Sequence, residues 1–289
     1  MPNTIIITLV ALFAFAANSV LCRLALNNEL VSPFDFTVIR LFSAAITLGF
    51  IVLLKNHIKL TDITQYGSRA GAAYLFIYAA GFSYAYVTLG TATGALILFA
   101  SVQFTMLFKA WLAGHRMNKV ERIGIFLSLV GFVYFVSPQL EKPSLLGCFL
   151  MVLAGVAWGM YSLIGAKSKS PLYDTASNFI RLLPIALIGL VIMGVAATEN
   201  SIHITINGWF YVIGSGALAS GAGYAMWYWV LPKLTTNIAA VSQLSVPIWA
   251  ALGGVIFVAE PIDLHLGIST GVILGGILLV VLNKTTNSP

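Results

Sequence analysis

The 289-residue chain is 59 % hydrophobic and 8 % charged, with a mean hydropathy of +0.95. An ordinary soluble domain, whose charged fraction is about 25 %, is excluded. The net charge of +6 and pI near 9.3 come from residues between apolar runs, so they need no nucleic-acid partner to explain them.

A helix crossing the hydrocarbon layer takes roughly 20 apolar residues, and Gly, Pro and charge clusters divide the chain into ten such stretches. They run roughly over 5–26, 34–54, 70–90, 92–113 and 120–137, then 145–166, 174–197, 208–230, 235–257 and 264–282. The expected fold class is therefore an all-α membrane protein of ten transmembrane helices with short connectors. Only Gly90-Thr91-Ala92-Thr93 separates the third and fourth spans, and a hairpin there is favoured over one over-long helix. No Lys or Arg precedes the first span, which reads as a retained helix rather than a signal peptide. Bulky Leu21 before Cys22 argues against lipoprotein processing.

Basic residues in short loops stay on the cytoplasmic side. In the ten-span arrangement Lys55, Lys59, Arg69, Arg116, Lys119, Arg122, Lys167, Lys169, Lys233 and Lys284 fall on one side, against only Lys142 and the borderline Arg23 on the other. Glu29, Asp35, Glu141, Glu199, Glu260 and Asp263 fall on the other. Both termini are thus expected in the cytoplasm, with the chain in the inner (plasma) membrane.

Two arginines inside apolar runs, Arg40 in FTVIRLFSA and Arg181 in SNFIRLLPI, lie 141 positions apart. Tyr84-Ala85 and Tyr224-Ala225 are 140 apart, Gln103 and Gln243 also 140, and the Gly124 region meets the Gly267 region at 143. Near-constant offsets across four spans indicate a duplication: a first repeat over 1–139, a second over 143–284, and a short cytoplasmic tail, 285–289. Five spans per repeat is an odd number, so the second repeat enters from the opposite face. Such inverted repeats recur in secondary transporters with a central site.

The stretch PIWAALGGVIFVAEPIDLHLGISTGVILGGILLV, from Pro247 onward, resembles the end of the EamA-type repeat of the drug/metabolite transporter superfamily: Pro, small residues, an apolar run closing in Glu260, then a Gly-rich helix. The resemblance extends over essentially the whole chain. It implies a ten-helix exporter with a central cavity and substrates such as amino acids or other small metabolites. Where the second repeat has Glu260, the first has His115.

His57, His115, His203 and His265 all fall in or beside predicted loops, and no HExxH, GxSxG or phosphate-cradling Gly loop occurs, so an enzyme is not expected. Cys22 and Cys148 read as free thiols, and no metal or cofactor is expected. Among mid-depth polar groups, Gln103, Gln243 and Asn18 are candidates for substrate contact or for helix-to-helix bonding. Tyr78, Tyr84, Trp158, Tyr161 and Tyr224 are candidate cavity aromatics. Tyr86, Trp227, Tyr228, Trp209 and Trp229 fit an interfacial belt. Arg40 and Arg181 read either as carboxylate-binding or as structural anchors; anchoring is favoured, because both repeats carry one but a single central site is expected. Ser215, Ala219 and Gly223 recur every four residues as a smooth packing ridge.

No carboxylate lies at mid-depth, so downhill export or exchange is expected. The partners expected are a small molecule and the lipid bilayer, with the chain a monomer or weak homodimer. A non-transporting scaffold or assembly factor, and transport of other metabolites such as purines or sugars, are the alternatives.

Overall fold

The computed structural model describes residues 2–27, 30–55, 60–89, 91–114, 118–136, 144–200, 204–258 and 264–285, and among these it is wholly helical. The first half supplies five uninterrupted rods: α1 (Pro2–Asn27), α2 (Pro33–Lys55), α3 (Arg69–Thr88), α4 (Thr91–Leu112) and α5 (Lys119–Val136), with a 3-10 turn at Leu60–Gln65 before α3. The second half begins with α6 (Leu145–Gly165). Three compound rods follow: α7 (Pro171–Ile180) with α8 (Leu183–Asn200); α9 (Ile206–Ile213) and α10 (Gly223–Val230) around a π-helical Gly214–Ala222; and α11 (Thr236–Ser242) with α12 (Val246–Val258) around a 3-10 turn, Gln243–Ser245. Helix α13 (Leu264–Thr285) ends the described chain. Five stretches, Asn3–Leu26, Pro33–Lys55, Arg69–Thr88, Leu145–Gly165 and Pro171–Val195, are long and apolar enough to cross a membrane. The expected Gly90, His115, His203, Glu260 and Asp263 positions lie outside the described residues.

Short polar residues open the helices. Ser68, Ser144 and Thr205 each accept the N–H of a glycine three residues on, at 2.9, 3.2 and 3.1 Å, before α3, α6 and α9. Before α5, Asn118 and Glu121 exchange reciprocal bonds of 3.0 and 2.9 Å. Once begun, the rods are apolar on all sides: on α4, Val102 and Met106 are buried while Phe104, Phe108 and Trp111 face outward. A helix that meets protein on one side and lipid on the other needs no polar face.

The packing exchanges partners between halves. Helix α1 lies against the α9–α10 rod and α12, α6 lies against α3 and α4, and α5 pairs with α13. Small residues permit these approaches. A Cβ on Gly124 would meet the Gly276 carbonyl oxygen at 2.7 Å, and one on Gly155 the Leu98 carbonyl oxygen at 2.5 Å.

Each interruption has a local cause or consequence. The seventh stretch, expected as one span over 174–197, bends at Arg181–Leu182, where Leu182 bonds back to the Phe179 carbonyl at 3.0 Å and Pro184 has no N–H to continue the ladder. Of the ridge expected from Ser215, Ala219 and Gly223, Ser215 bonds to Asn18 of α1 and Gly223 faces Ala14 of α1, while Ala219 is buried. Between them in the π segment, Gly216 and Gly221 face α2, at its Arg40 and Ala44 backbone. A π-helix bonds i→i+5 and so winds less tightly than an α-helix, which shifts the helical phase across Gly214–Ala222. The third interruption, just ahead of Pro247, puts Gln243 at a break in the ninth rod.

Candidate functional site

Helices α1, α3, α6 and α10 converge on a cluster of aromatic rings. Phe15 meets Trp158, Tyr224 and Trp227 edge-on at centroid distances of 5.2, 5.7 and 5.5 Å. Trp158 lies 4.8 Å from Tyr78 and 4.6 Å from Tyr224. The α3 contribution follows from helical phase: Tyr78, Phe82 and Tyr86 are four residues apart and share the inward face.

At the centre is a void of about 10 Å³ walled by Phe15, Ser19, Tyr78, Phe82, Leu98, Phe99 and Trp158. It has room for about one water molecule. The chamber draws its wall from α1, α3, α4 and α6, and in this conformation it is occluded.

Two sets of buried polar groups border it. In the first, Ser215 Oγ donates to Asn18 Oδ1 at 2.5 Å, Asn18 Nδ2 donates to the Tyr78 hydroxyl at 3.4 Å, and the Tyr224 hydroxyl donates to the same oxygen at 3.0 Å. This chain joins α1 and α3 to the π segment and α10, so it bridges the halves. In the second, Trp158 Nε1 donates to Gln243 Oε1 at 2.8 Å, while Gln243 Nε2 donates to the Ala239 carbonyl at 3.0 Å and contacts Met106 Sδ at 3.5 Å. The break after α11 is thereby tied to the chamber wall. Gln103 is fully buried, and among the described residues neither amide atom has a hydrogen-bond partner; a buried amide with four unmet bonding positions is uncommon.

Of the remaining candidates, Tyr161 adjoins the cluster, 5.5 Å from Trp158 and 4.6 Å from Tyr228, whose hydroxyl donates to the Tyr161 carbonyl at 3.0 Å. Tyr84 does not join it. Two residues beyond Phe82 is about 200° around the helix, and Tyr84 faces outward, 44 % exposed. Tyr86, Trp227 and Tyr228, expected in the interfacial belt, are fully buried instead. The Trp227 indole donates to Ser162 Oγ at 3.1 Å. Trp209 and Trp229 do face outward. Phe15, Phe82, Leu98 and Phe99 join the wall as residues that sequence reasoning missed, beside Ser19, the neighbour of Asn18; the four-residue steps from Phe15 to Ser19 and from Tyr78 to Phe82 are the signal that finds the first two.

The two arginines have different surroundings. On α7 and at its C-cap, Asp174, Ser177, Asn178 and Arg181 stand at i, i+3, i+4 and i+7 and hold the backbone ahead of α3. Asp174 Oδ1 accepts from Gly67 N at 2.8 Å, Asn178 Oδ1 accepts from Ser68 N at 3.0 Å, and Ser177 Oγ donates to the Tyr66 carbonyl at 2.7 Å. Arg181 Nη2 donates to the Thr64 carbonyl, and to that of Tyr66 at 3.3 Å. Gly67, at φ 62°, is the residue that fits beneath this clamp: a Cβ there would meet Asn178 Oδ1 at 2.6 Å. The anchor reading therefore describes Arg181. Arg40 is 1 % exposed, and among the described residues its Nε and Nη1 have no hydrogen-bond partner. Its guanidinium carbon lies 5.9, 5.4 and 5.2 Å from the ring centroids of Phe36, Tyr78 and Phe82. An arginine at depth costs about 2.5–3.5 kcal/mol on insertion scales, and ring faces offset only part of that.

Cys22 is buried and Cys148 half-buried, both as free thiols. Among the described residues no three His, Cys, Asp or Glu side chains gather. The family model for EamA-like transporters matches the chain twice, over 3–137 and 145–282. The chain belongs to the EamA-like transporter family. Among its relatives is an uncharacterized protein of Pseudomonas aeruginosa, 42 % identical over 283 residues, covering 97 % of this chain and 96 % of that one. An uncharacterized transporter of Archaeoglobus fulgidus is 25 % identical over 257 residues, covering 87 % and 89 %. A probable amino-acid metabolite efflux pump of Escherichia coli is 23 % identical over 259 residues, covering 84 % and 83 %. A solved crystal structure of another protein superposes with a TM-score of 0.75 over 98 % of each chain at 17 % identity, a likeness of fold.

Proposed function

We propose that this EamA-family protein is a secondary transporter that exports small amphipathic metabolites such as amino acids. Ten transmembrane helices, arranged as two inverted five-helix repeats, would expose the chamber alternately to either side of the inner membrane, with both termini cytoplasmic. The observation that carries this reading is the occluded void, bordered by the Ser215–Asn18–Tyr78–Tyr224 chain that bridges the halves. A void of one water between rings, with polar groups at its edge, is what an amphipathic cavity becomes when it closes on no substrate. The two family matches, the exchanged packing of α1 and α6, and the name of the Escherichia coli relative support it further.

The chamber wall carries no carboxylate or imidazole, so we read the flux as downhill export or exchange. The test is overexpression in cells with a panel of amino acids and toxic analogues. Selective efflux that falls when Gln243 or Trp158 is substituted, at unchanged membrane abundance, supports the reading. Loss of abundance without any efflux in the wild type supports a scaffold. Flux that follows an imposed pH gradient alone would refute downhill export.

A further inference from the structure

Arg40 and Arg181 sit in matching sequence, yet the helix faces beneath them differ. At the offset of 141, the clamp residues Asp174, Ser177 and Asn178 correspond to Pro33, Phe36 and Thr37. Where α7 offers a carboxylate, a hydroxyl and an amide to a neighbouring loop, α2 offers a ring and removes the carboxylate. Among the described residues Arg181 Nη2 is taken by two carbonyls and its Nε is left without a partner, whereas Arg40 has no side-chain hydrogen bond at either Nε or Nη1.

A guanidinium does not escape this by losing its proton. Buried charge without a counter-charge is the costly arrangement, and no ion pair to Arg40 occurs among the described residues. Two of the three rings that hold it, Tyr78 and Phe82, also wall the void. Parting these rings as the chamber opens would join the guanidinium to the space vacated.

We propose that Arg40 is the carboxylate-binding group of the chamber, and that the substrate is a small organic monocarboxylate, with or without an amino group, whose apolar part lies against Phe15, Trp158 and Tyr224. This rests on the transport reading above. One unpaired cation matches one negative charge, and a planar carboxylate can take two guanidinium N–H groups at once. The hydroxyl and amide edge formed by Asn18, Tyr78 and Tyr224 then meets the remaining polar group of the ligand, the amine in an amino acid.

The experiment uses the purified full chain and four probes that share one apolar group: leucine, leucinamide, isoamylamine and 4-methylpentanoate, with inorganic phosphate alongside. Binding is read by ligand-dependent thermal stabilisation in detergent, and flux by counterflow in proteoliposomes. Leucine and 4-methylpentanoate are expected to bind, with the amide and the amine weaker by roughly tenfold or more. Arg40→Lys is expected to weaken the two carboxylates by about tenfold, and Arg181→Lys to leave the order of the four unchanged. The wild-type series tests the proposal even if an Arg40 variant fails to fold. Equal binding of acid and amide, binding of phosphate alone, or binding of none of the four overturns it. Selective carboxylate binding without flux upholds Arg40 and sinks the transport reading; flux that ignores the carboxylate does the reverse.

Discussion

The Tyr224 hydroxyl donates to the Tyr78 hydroxyl over 3.0 Å, at a place where both side chains are almost wholly buried. The pair links α3 of the first half to α10 of the second, and Asn18 completes the junction from α1. Tyr78→Phe or Tyr224→Phe is expected to cost about 1 kcal/mol of stability, with a coupling between them of similar size. A double-mutant cycle on thermal unfolding in detergent measures it. Additive losses would mean that the two hydroxyls do not interact.

The α7 clamp should report as a unit. Asp174→Ala, Asn178→Ala and Arg181→Ala each remove a partner from backbone groups of the segment before α3, and each is expected to cost about 1–3 kcal/mol. Because the loss is local, hydrogen exchange should rise first at 64–68. Uniform exchange across α3 and α7 instead would show that the clamp does not hold that segment separately.

Glycines separate close approach from open space. A Cβ on Gly216 would meet Ser43 Oγ and, at 2.7 Å, the Arg40 carbonyl oxygen, whereas one on Gly49 meets nothing within 4 Å. Gly216→Ala is expected to destabilise by about 1–3 kcal/mol. Gly49→Ala is expected to be neutral or to stabilise by up to about 1 kcal/mol, through helix propensity. Comparing the melting temperatures of the two variants decides it; similar losses would place the contact between α2 and the π segment elsewhere.

Gln243 holds the Trp158 indole from a helix break. Gln243→Leu keeps the volume but leaves that N–H without an acceptor, at a cost of about 1–3 kcal/mol, and Gln243→Glu keeps an acceptor. Tryptophan emission tracks Trp158 most cleanly when the other indoles are replaced. A shift with Leu and none with Glu is expected; the same shift with both would show that the acceptor is immaterial.

Helix existence was legible because a span of hydrocarbon imposes its length on the sequence, and the described ends fall within a few residues of the expected ones. Which side of a helix faces inward was less so. When lipid and core are both apolar, hydrophobic periodicity fades, so residue type and depth alone put Tyr84 in the cavity and Tyr86 in the belt, the reverse of what the structure shows. The four-residue step from Tyr78 through Phe82 to Tyr86 carried the answer. The 140-residue offset does not carry burial with it: Tyr224 is buried and Tyr84 is exposed, and a π segment precedes Tyr224 but not Tyr84. Only the run of small residues from Gly214 to Gly223 hinted at that segment. The contrast between the arginines was written in Asp174, Ser177 and Asn178 against Pro33, Phe36 and Thr37, yet it acquires meaning only once the Tyr66–Ser68 backbone is seen beneath α7.

Counterflow of radiolabelled leucine in proteoliposomes bears on the whole proposal, with the wild type, Trp158→Leu and Tyr84→Phe compared at equal reconstituted amounts. Passage through the chamber between the halves requires saturable counterflow in the wild type, its loss in Trp158→Leu, and its full retention in Tyr84→Phe on the outer face. Equal flux from Trp158→Leu and the wild type would show that the substrate passes by another route.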